Sequence, residues 1–345
     1  MELSERKKAI LSAIVKMYIR SGEPIGSKML CEILENAPSS ATLRNEMNAL
    51  CDLGLLSQPH TSAGRVPTAD GYRLYVETLM DKGTVSEEQK EIIDSELNFS
   101  NCDPEKLPEK AVEILTRLTG LPCFSAKLAG GGILIRQAQL LPMGNRSALL
   151  IVITSDGRSR SRLCTVPVPL TAALIAEFER GIIKRVIGCD IEELTPARMQ
   201  SIAVGSGINM LSLMPLITAL SGMVEDINSS GLSVKGAEGF FTMGLSRESA
   251  DRINAIISSK DTITDLVSKS DKPLGIIFGD DTEYSALKPS SIVLARYGAG
   301  GKDIGCLGVV GPNRMSYEKI LPCVQYAAER INALLNSTLE DMEEI

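Results

Sequence analysis

Residues 39–68 constrain this chain more than any other stretch, because they combine a short two-faced helix with a tight hairpin. A pair of serines opens the stretch, and a serine side chain can accept a hydrogen bond from a free N–H group in the first turn of a helix. The apolar side chains that follow are spaced as on one face of a helix, which predicts a buried stripe. They are Leu43, Met47 and Leu50. The opposite face is left for solvent or for a partner.

That opposite face carries small or hydrogen-bonding side chains rather than a run of like charges. Ala41, Asn45 and Asn48 share it, and Thr42 and Arg44 flank it. Amide and guanidinium groups form paired hydrogen bonds with base edges in the major groove of DNA. The polar face therefore indicates a DNA-binding helix that contacts base edges. A small helical interaction domain with a solvated face is the alternative.

A hairpin is predicted directly after this helix. Gly54 marks the end of the helix, and Leu55 and Leu56 begin an extended run. The chain then turns close to Gly64 and returns through Arg65, which predicts a hairpin with a cation at its tip. A polar-faced helix followed by such a hairpin is typical of a winged helix-turn-helix, in which the helix enters the major groove and the wing contacts the backbone or minor groove.

The charge of the chain is unevenly distributed. Residues 1–82 hold ten Lys or Arg and ten Asp or Glu, so the rest of the chain carries the whole net charge of −7. Because non-specific attraction to DNA depends on cations, a neutral head predicts binding through placed contacts and through dimerisation. The eight cysteines include no C-x-x-C pair and the chain has one histidine, which favours reduced, mostly buried thiols over a metal site.

Four segments, taken together, resemble the heat-inducible transcription repressor HrcA family of bacteria. They are GEPIGSKML at 22–30, SSATLRNEM at 39–47, LGLLSQPHTSAGRVPTADGYRLYV at 53–76 and GVVGPNRMSYEKI at 308–320. The resemblance spans nearly the whole chain. It implies a repressor that binds an inverted repeat ahead of chaperone operons as a homodimer, with the chaperonin GroEL as a partner that keeps it active. It also implies release from DNA on heat stress.

The DNA site is predicted on three consecutive elements. We expect the recognition helix to contact bases, with Asn45 on adenine and Arg44 on guanine or on phosphate. The preceding helix is expected to contact phosphate, and the wing to add further polar groups; His60 either meets phosphate or fills a turn. The predicted site residues are Ser27, Lys28, Ser40, Thr42, Arg44, Asn45, Asn48, His60, Thr61, Ser62 and Arg65.

The remainder of the chain predicts an α+β body. Strand patterns occupy 133–141, 148–154 and 163–168, a helical pattern occupies 171–186, and strands return at 274–278, 292–296 and 306–310 before a last helix at 317–339. This order predicts one sheet split by an insert. The resemblance implies that the sheet is a GAF-like domain and the insert a dimerisation domain. The predicted domains are a winged helix-turn-helix at 1–82, a helical connector at 83–121, the GAF-like domain at 122–187 and 272–345, and the insert at 188–271.

The insert contains an unusually apolar stretch. No charged residue lies between Arg198 and Glu225. Glycines, polar residues and Pro215 interrupt it, and no cationic or aromatic anchors flank it closely, which argues against a membrane span. We therefore interpret it as a helix buried on several sides, partly at a subunit interface, and place the two-fold contact there.

Enzyme chemistry is not indicated. The glycine-rich segment 298–305 predicts a hairpin rather than a phosphate loop, since Lys302 is followed by Asp303 and no helix begins there. Gly130, Gly131 and Gly132 precede a strand and predict a turn. No cofactor or metal is expected, and the N-terminus predicts a cytoplasmic protein. Two rival hypotheses remain: a metabolite-responsive regulator whose GAF-like domain senses a ligand, and an enzyme or scaffold that uses the body.

Overall fold

The computed structural model describes residues 3–34, 38–60, 63–81, 83–99, 104–128, 133–205, 210–229, 231–242, 246–270, 272–288 and 290–343. The N-terminal head is a winged helix. Its first helix begins after Ser4, whose side chain accepts a hydrogen bond from the N–H of Lys7. Its elements are α1 (Glu5–Ser21), α2 (Ser27–Ile33), α3 (Ser40–Asp52), β1 (Leu56–Ser57), β2 (Val66–Pro67) and α4 (Ala69–Leu74), which a π-helical turn at Tyr75–Leu79 continues.

The predicted two-faced character of α3 is confirmed. Leu43, Met47 and Leu50 are buried. They join the core of the head, which also contains Ile14 of α1 and Leu30 of α2. Burying each such aliphatic side chain contributes about 1.5–3 kcal/mol relative to leaving it exposed. The buried stripe therefore fixes the orientation of α3 and keeps its polar face outward.

The wing is completed by a third backbone segment. β1 and β2 pair antiparallel, and Ile25 forms an isolated bridge with Arg65 beside them. Gly64 permits this pairing, because a Cβ atom there would lie 2.4 Å from the carbonyl carbon of Ile25. The hairpin is thereby joined to the segment that precedes α2.

Two helices lead to the body, and both lie within the predicted helical connector at 83–121. They are α5 (Glu87–Glu96) and α6 (Leu107–Thr119), with a short 3-10 turn at Pro104–Lys106 between them. α5 begins in a capping box, in which the side chains of Ser86 and Gln89 each accept a hydrogen bond from the other's backbone N–H.

The body contains two sheets rather than the single predicted sheet. The larger has five strands in the order β7-β3-β10-β9-β8. Counted in chain order within this sheet, the strands follow the order 2-1-5-4-3, in agreement with the GAF-like domain that the resemblance implies. The strands are β3 (Cys123–Lys127), β7 (Leu232–Lys235), β8 (Leu274–Phe278), β9 (Ser290–Ala299) and β10 (Lys302–Pro312).

Helices cover both faces of the five-stranded sheet. On one face, Leu307 and Val309 join a core with residues of α6 and of the last helix, α14 (Tyr317–Glu343). The helices between β7 and β8 are α11 (Gly239–Thr242), α12 (Arg247–Ile257) and α13 (Lys260–Ser268). On the other face of the sheet, Leu294 and Cys306 pack with residues of α12 and α13. The predicted hairpin at 298–305 is confirmed as the turn between β9 and β10, where Gly300 and Gly301 both have positive φ.

The smaller sheet has three strands in the order β4-β5-β6 and lies wholly between β3 and β7 in the chain. The prediction that these strands belong to one sheet with 274–278, 292–296 and 306–310 is therefore wrong. The alternation of apolar residues identifies strands but does not specify their partners. The elements of this excursion are β4 (Ile135–Pro142), β5 (Ser147–Thr154), β6 (Ser159–Thr165), α7 (Ala172–Phe178), α8 (Lys184–Val186), α9 (Pro196–Gly205) and α10 (Met210–Ser229), with a π-helical turn at Glu179–Ile183.

The apolar stretch of the predicted insert forms α10, and most of its described apolar side chains are buried within this chain. Leu216, Leu220 and Met223 are buried in the core that also holds Leu150 and Val152 of β5. The interpretation that this stretch supplies the subunit contact is therefore not supported, because its apolar faces already have partners. No helix in the described part of the chain is long and apolar enough to cross a membrane.

Cysteines within the described ranges are unpaired thiols. Cys123, Cys164, Cys306 and Cys323 are buried, and Cys31, Cys51 and Cys189 are partly exposed. Burial raises the pKa of Cys123 and of Cys306 to about 12, since a thiolate would lose its hydration there. Cys123 and Cys306 are therefore poor nucleophiles, and Cys102 lies outside the described residues.

Candidate nucleic-acid interface

The outward face of α3 presents the predicted polar groups side by side. Arg44, Asn45 and Asn48 are exposed, as is Ala41. Thr42 is partly exposed, and its hydroxyl lies 3.0 Å from the hydroxyl of Ser39, which caps the helix. Ala41 leaves room for close approach to a groove. The face thus offers one guanidinium and two amides on a rigid helix.

Two serines join α2 to α3. The hydroxyls of Ser27 and Ser40 lie 2.8 Å apart, and Ser27 is only 8% exposed. This burial conflicts with the predicted phosphate contact of the Ser27 hydroxyl, which instead fixes the angle between the two helices. The neighbouring Lys28 is exposed, as predicted for a phosphate contact.

Arg65 lies against α3 instead of standing at the tip of the hairpin. Its Nη2 atom donates a hydrogen bond to Oδ1 of Asn48 at 2.6 Å. Its backbone N–H and C=O groups both pair with Ile25, at 2.8 and 2.9 Å. The prediction of a cation at the tip is therefore wrong, because backbone pairing brings the residue to the base of the wing. Arg65 connects the wing to the polar face of α3.

The rest of the predicted wing site is only partly described. His60 is exposed, while Thr61 and Ser62 lie outside the described residues. Gln58, which the sequence reasoning did not single out, is exposed on the wing, and its Nε2 donates to the carbonyl of Ala63 at 3.0 Å. Its position within the predicted hairpin, directly after the extended run, is the sequence signal that could have identified it as a site residue.

A second missed residue supports α3 from its other side. Nε of Arg6 on α1 lies 3.1 Å from a carboxylate oxygen of Glu46. This ion pair holds the only carboxylate of the first three turns of α3 away from the polar face. A DNA phosphate approaching that face therefore meets no exposed acidic group on those turns.

The head is fixed to the body through a motif near the far end of the chain. The ring of Tyr72 in α4 lies 6.1 Å from the ring of Tyr317 in α14, and the hydroxyl of Tyr75 donates to Glu318 at 2.5 Å. Burial raises the pKa of Tyr72 and of Tyr75 well above the ordinary value. Tyr317 and Glu318 belong to the segment 308–320, so the end of this segment contacts the head.

Arg73 makes the second connection between the two parts. Its guanidinium lies 2.5 Å from a carboxylate oxygen of Asp281 and 5.4 Å from the centre of the Phe278 ring. It also pairs with Asp70 on its own helix. Asp281 follows β8, the edge strand of the five-stranded sheet, so Arg73 connects α4 of the head to that edge.

Within the described ranges, no group of three or more His, Cys, Asp or Glu side chains is placed to hold a metal ion. The fold and the exposed face of α3 define the class: this is a winged-helix DNA-binding protein with a GAF-like body. Comparison with known proteins agrees. Residues 2–79 match the family described as winged helix-turn-helix transcription repressor, HrcA DNA-binding, and residues 105–321 match the HrcA protein C terminal domain.

Similar full-length proteins carry the same name. A heat-inducible transcription repressor HrcA of Methylobacillus flagellatus is 30% identical over 97% of this chain and 99% of its own length. Another, of Ruminiclostridium cellulolyticum, is 28% identical over 99% of this chain and 100% of its own. A solved structure, described as a hypothetical protein, has 21% identity and a TM-score of 0.62 over 97% of this chain and 98% of its own, which supports the fold alone. The chain belongs to the HrcA family of heat-inducible transcription repressors.

Proposed function

We propose that this protein represses chaperone operons by binding an inverted-repeat operator as a homodimer. The observation that carries the proposal is the exposed polar face of α3, held outward by its buried stripe. Asn45 contacts adenine, and Arg44 contacts guanine or a phosphate. Ser40, Thr42 and Asn48 complete the contacts of the helix. Repression is a binding function and uses no catalytic group.

Backbone contacts come from the elements on either side of α3. Lys28 on α2 contacts phosphate, and the wing supplies His60, Thr61, Ser62 and Arg65. Because Arg65 bonds to Asn48, its contribution to DNA binding includes positioning that amide. Contacts to phosphate set the register of the protein on the duplex, whereas contacts to bases supply sequence preference.

The outer face of the three-stranded sheet supports a homodimer. Its side chains lie opposite those that pack on α10, and Leu163 is 65% exposed there. Residues paired directly across neighbouring strands share a face. The registers place nine uncharged residues together: Gln137, Gln139, Leu141, Leu149, Ile151, Ile153, Ser159, Ser161 and Leu163. We call this set the outer sheet face.

A two-fold interface sets one patch against the same patch on the partner, so any charge near the axis meets its like. The outer sheet face carries no charge and so avoids that repulsion. Burial of its leucines and isoleucines would stabilise the dimer. Two recognition helices related by this axis then reach two half-sites of an inverted repeat.

The same face suggests a role for the chaperonin GroEL. In a monomer the outer sheet face stays open to solvent, and exposed apolar surface of this kind is an aggregation liability. GroEL holds the monomer and returns it to the dimer population. When heat unfolds other proteins, they compete for the chaperonin and the repressor leaves its operator.

A footprint tests the proposal directly. The full-length protein is titrated onto DNA upstream of its own gene and of chaperone genes, and we expect protection of two symmetric half-sites. Operator binding is then measured before and after mild heating, with and without GroEL. Failure to protect any upstream duplex contradicts the repressor function. Equal binding with and without GroEL after heating contradicts the chaperonin mechanism alone.

A further inference from the structure

A polar cavity of about 740 Å³ lies where the turn between β5 and β6 meets the five-stranded sheet. The sheet contributes hydroxyl and ammonium groups to its wall. Ser125 on β3 pairs in register with Ser233 on β7, so these two hydroxyls belong to neighbouring positions of the sheet. The groups that the sheet provides are Ser125, Lys127, Ser233 and Tyr297.

Arg158 enters this cavity from the turn and is the most unusual group in it. Its side chain is 9% exposed. Nε donates to Asp156 and Nη1 donates to the carbonyl of Ile227, both at 2.6 Å. The remaining nitrogen, Nη2, is buried without a hydrogen-bond partner in the described part of the chain. A buried charged nitrogen left unpaired is costly, and such groups ordinarily find an acceptor.

Three further cations line the same cavity: Lys106, Lys127 and Lys260. Lys127 is on β3, and Lys260 is the first residue of α13. The pKa of Lys127 is lowered to about 8, chiefly by burial, next by the nearby charge of Arg158 and least by Lys260. Asp156 and Glu192 act in the opposite direction. An anion in the cavity would restore the protonated form of Lys127 and relieve the repulsion between these cations.

The carboxylates of the cavity wall are already bound to cations. Glu105 lies 2.5 Å from Arg160, and Glu109 lies 3.5 Å from Lys235. Asp156 holds Nε of Arg158. Neither Arg160 nor Lys235 belongs to the wall. Glu105 and Glu109 are therefore paired with cations from outside the wall, and Asp156 is paired with Arg158 within it.

We propose that this cavity is a binding site for a small molecule that carries an oxyanion, either a phosphate or a carboxylate. Arg158 and Lys127 supply the charge, and the hydroxyls of Ser125, Ser233 and Tyr297 are in place to orient the oxygens. Charged donors to an anion make the stronger class of hydrogen bond. The site is independent of the proposed DNA contacts, which lie on the head.

The test uses the full-length protein without DNA. Inorganic phosphate, glucose 6-phosphate and succinate are titrated at constant ionic strength, with sodium chloride as the reference, and the melting temperature and calorimetric Kd are recorded. We expect at least one probe to raise the melting temperature beyond the chloride reference. A response to glucose 6-phosphate and phosphate assigns a phosphate site, and a response to succinate alone assigns a carboxylate site.

Variants locate the binding. We expect Lys127→Gln to weaken binding by about 10-fold or more, since it removes a charged hydrogen-bond donor. Ser233→Ala is expected to weaken it less. Lys302→Gln is the matched control, because it removes a lysine charge at an exposed turn of the body. Arg158 is left intact, since it also holds the turn together.

Proton uptake provides a readout that a structural role would not move. Because the pKa of Lys127 is lowered to about 8, a fraction of these side chains is neutral near pH 8. Anion binding should therefore take up protons, by less than one per site, seen as a difference in binding enthalpy between two buffers of different ionisation enthalpy. Lys127→Gln should abolish that uptake. Absence of binding by all three probes overturns the proposal, as does unchanged binding by Lys127→Gln.

Discussion

The polar face of α3 and the outer sheet face are both exposed, but they differ in chemistry and in how the chain holds them. The α3 face carries Arg44, Asn45 and Asn48, and its backbone is fixed by a buried stripe. The outer sheet face is uncharged and centres on Leu149, Ile151 and Leu163. Hydrogen-bonding groups suit base edges, whereas an uncharged apolar patch suits its own copy. The α3 face would determine which DNA sequence is bound, and the outer sheet face would determine that two heads bind it together.

Leu163→Glu should give the largest effect, because it places like charges near one another across the two-fold axis. Leu163 is 65% exposed, so the monomer should fold normally. We expect a monomer by analytical ultracentrifugation. Operator affinity should fall by about 100-fold or more, the loss expected when two linked binding events become separate. Affinity for a single half-site should not change.

Val204→Glu is the control for this substitution, since Val204 is also an apolar residue of the excursion and is 69% exposed. It should remain a dimer with full operator affinity. If Leu163→Glu remains a dimer, the outer sheet face is excluded as the interface, and the proposal that α3 contacts DNA is not affected.

Asn45→Ala should produce the next largest effect. An amide that pairs with adenine contributes about 1–3 kcal/mol of discrimination, so preference for the operator over a scrambled duplex should fall by about 10-fold. Lys28→Ala should weaken both duplexes alike and lower the salt dependence of binding by about one unit of slope. Gel shifts at two salt concentrations measure both. Equal loss of preference in the two variants would contradict the separation of base and phosphate contacts.

The helices of the head could be predicted closely because their signals are local. The cap at Ser39, the stripe from Leu43 to Leu50 and the end at Gly54 each depend on neighbours within a few positions. The body could be predicted only as a list of strands. Which strands pair is decided across about a hundred residues, as with β3 and β7, and the alternation of side chains is the same for any partner.

The same distinction separates the correct and incorrect parts of the site. Arg44, Asn45 and Asn48 were predicted on the outward face because helical periodicity fixes it. Arg65 was misplaced because its position depends on pairing with Ile25, which lies forty residues earlier in the chain. The burial of Ser27 likewise depends on the packing of two helices. Contacts of this kind cannot be predicted from local sequence patterns and become visible only in the tertiary structure.

The link between Arg65 and Asn48 can be tested with a double-mutant cycle. Arg65→Ala should weaken operator binding by a few-fold, since it removes a hydrogen bond worth about 1 kcal/mol and leaves the Asn48 amide less well held. Asn48→Ala should do the same, and the double variant should be no weaker than the poorer single one. Fluorescence anisotropy with the operator gives the four affinities, and additive losses would show that the two side chains act separately.

Arg6→Ala is the matched control for the cycle. Arg6 is also a cation bound to α3, through Glu46, but on the side away from the polar face. Operator preference should be unchanged in this variant.

Arg73→Ala should give the smallest effect, and it tests whether the two surfaces belong to one rigid unit. The substitution removes the ion pair with Asp281 and the contact with the Phe278 ring. Since the side chain is 34% exposed, solvent screens the ion pair, and we expect the free energy of unfolding to fall by only about 1 kcal/mol. Arg252→Ala, which breaks an ion pair within α12, should cost less. If head and body are rigidly joined, Arg73→Ala should also make proteolysis between 83 and 104 faster, and an unchanged rate would show that the tyrosine contacts alone fix the head.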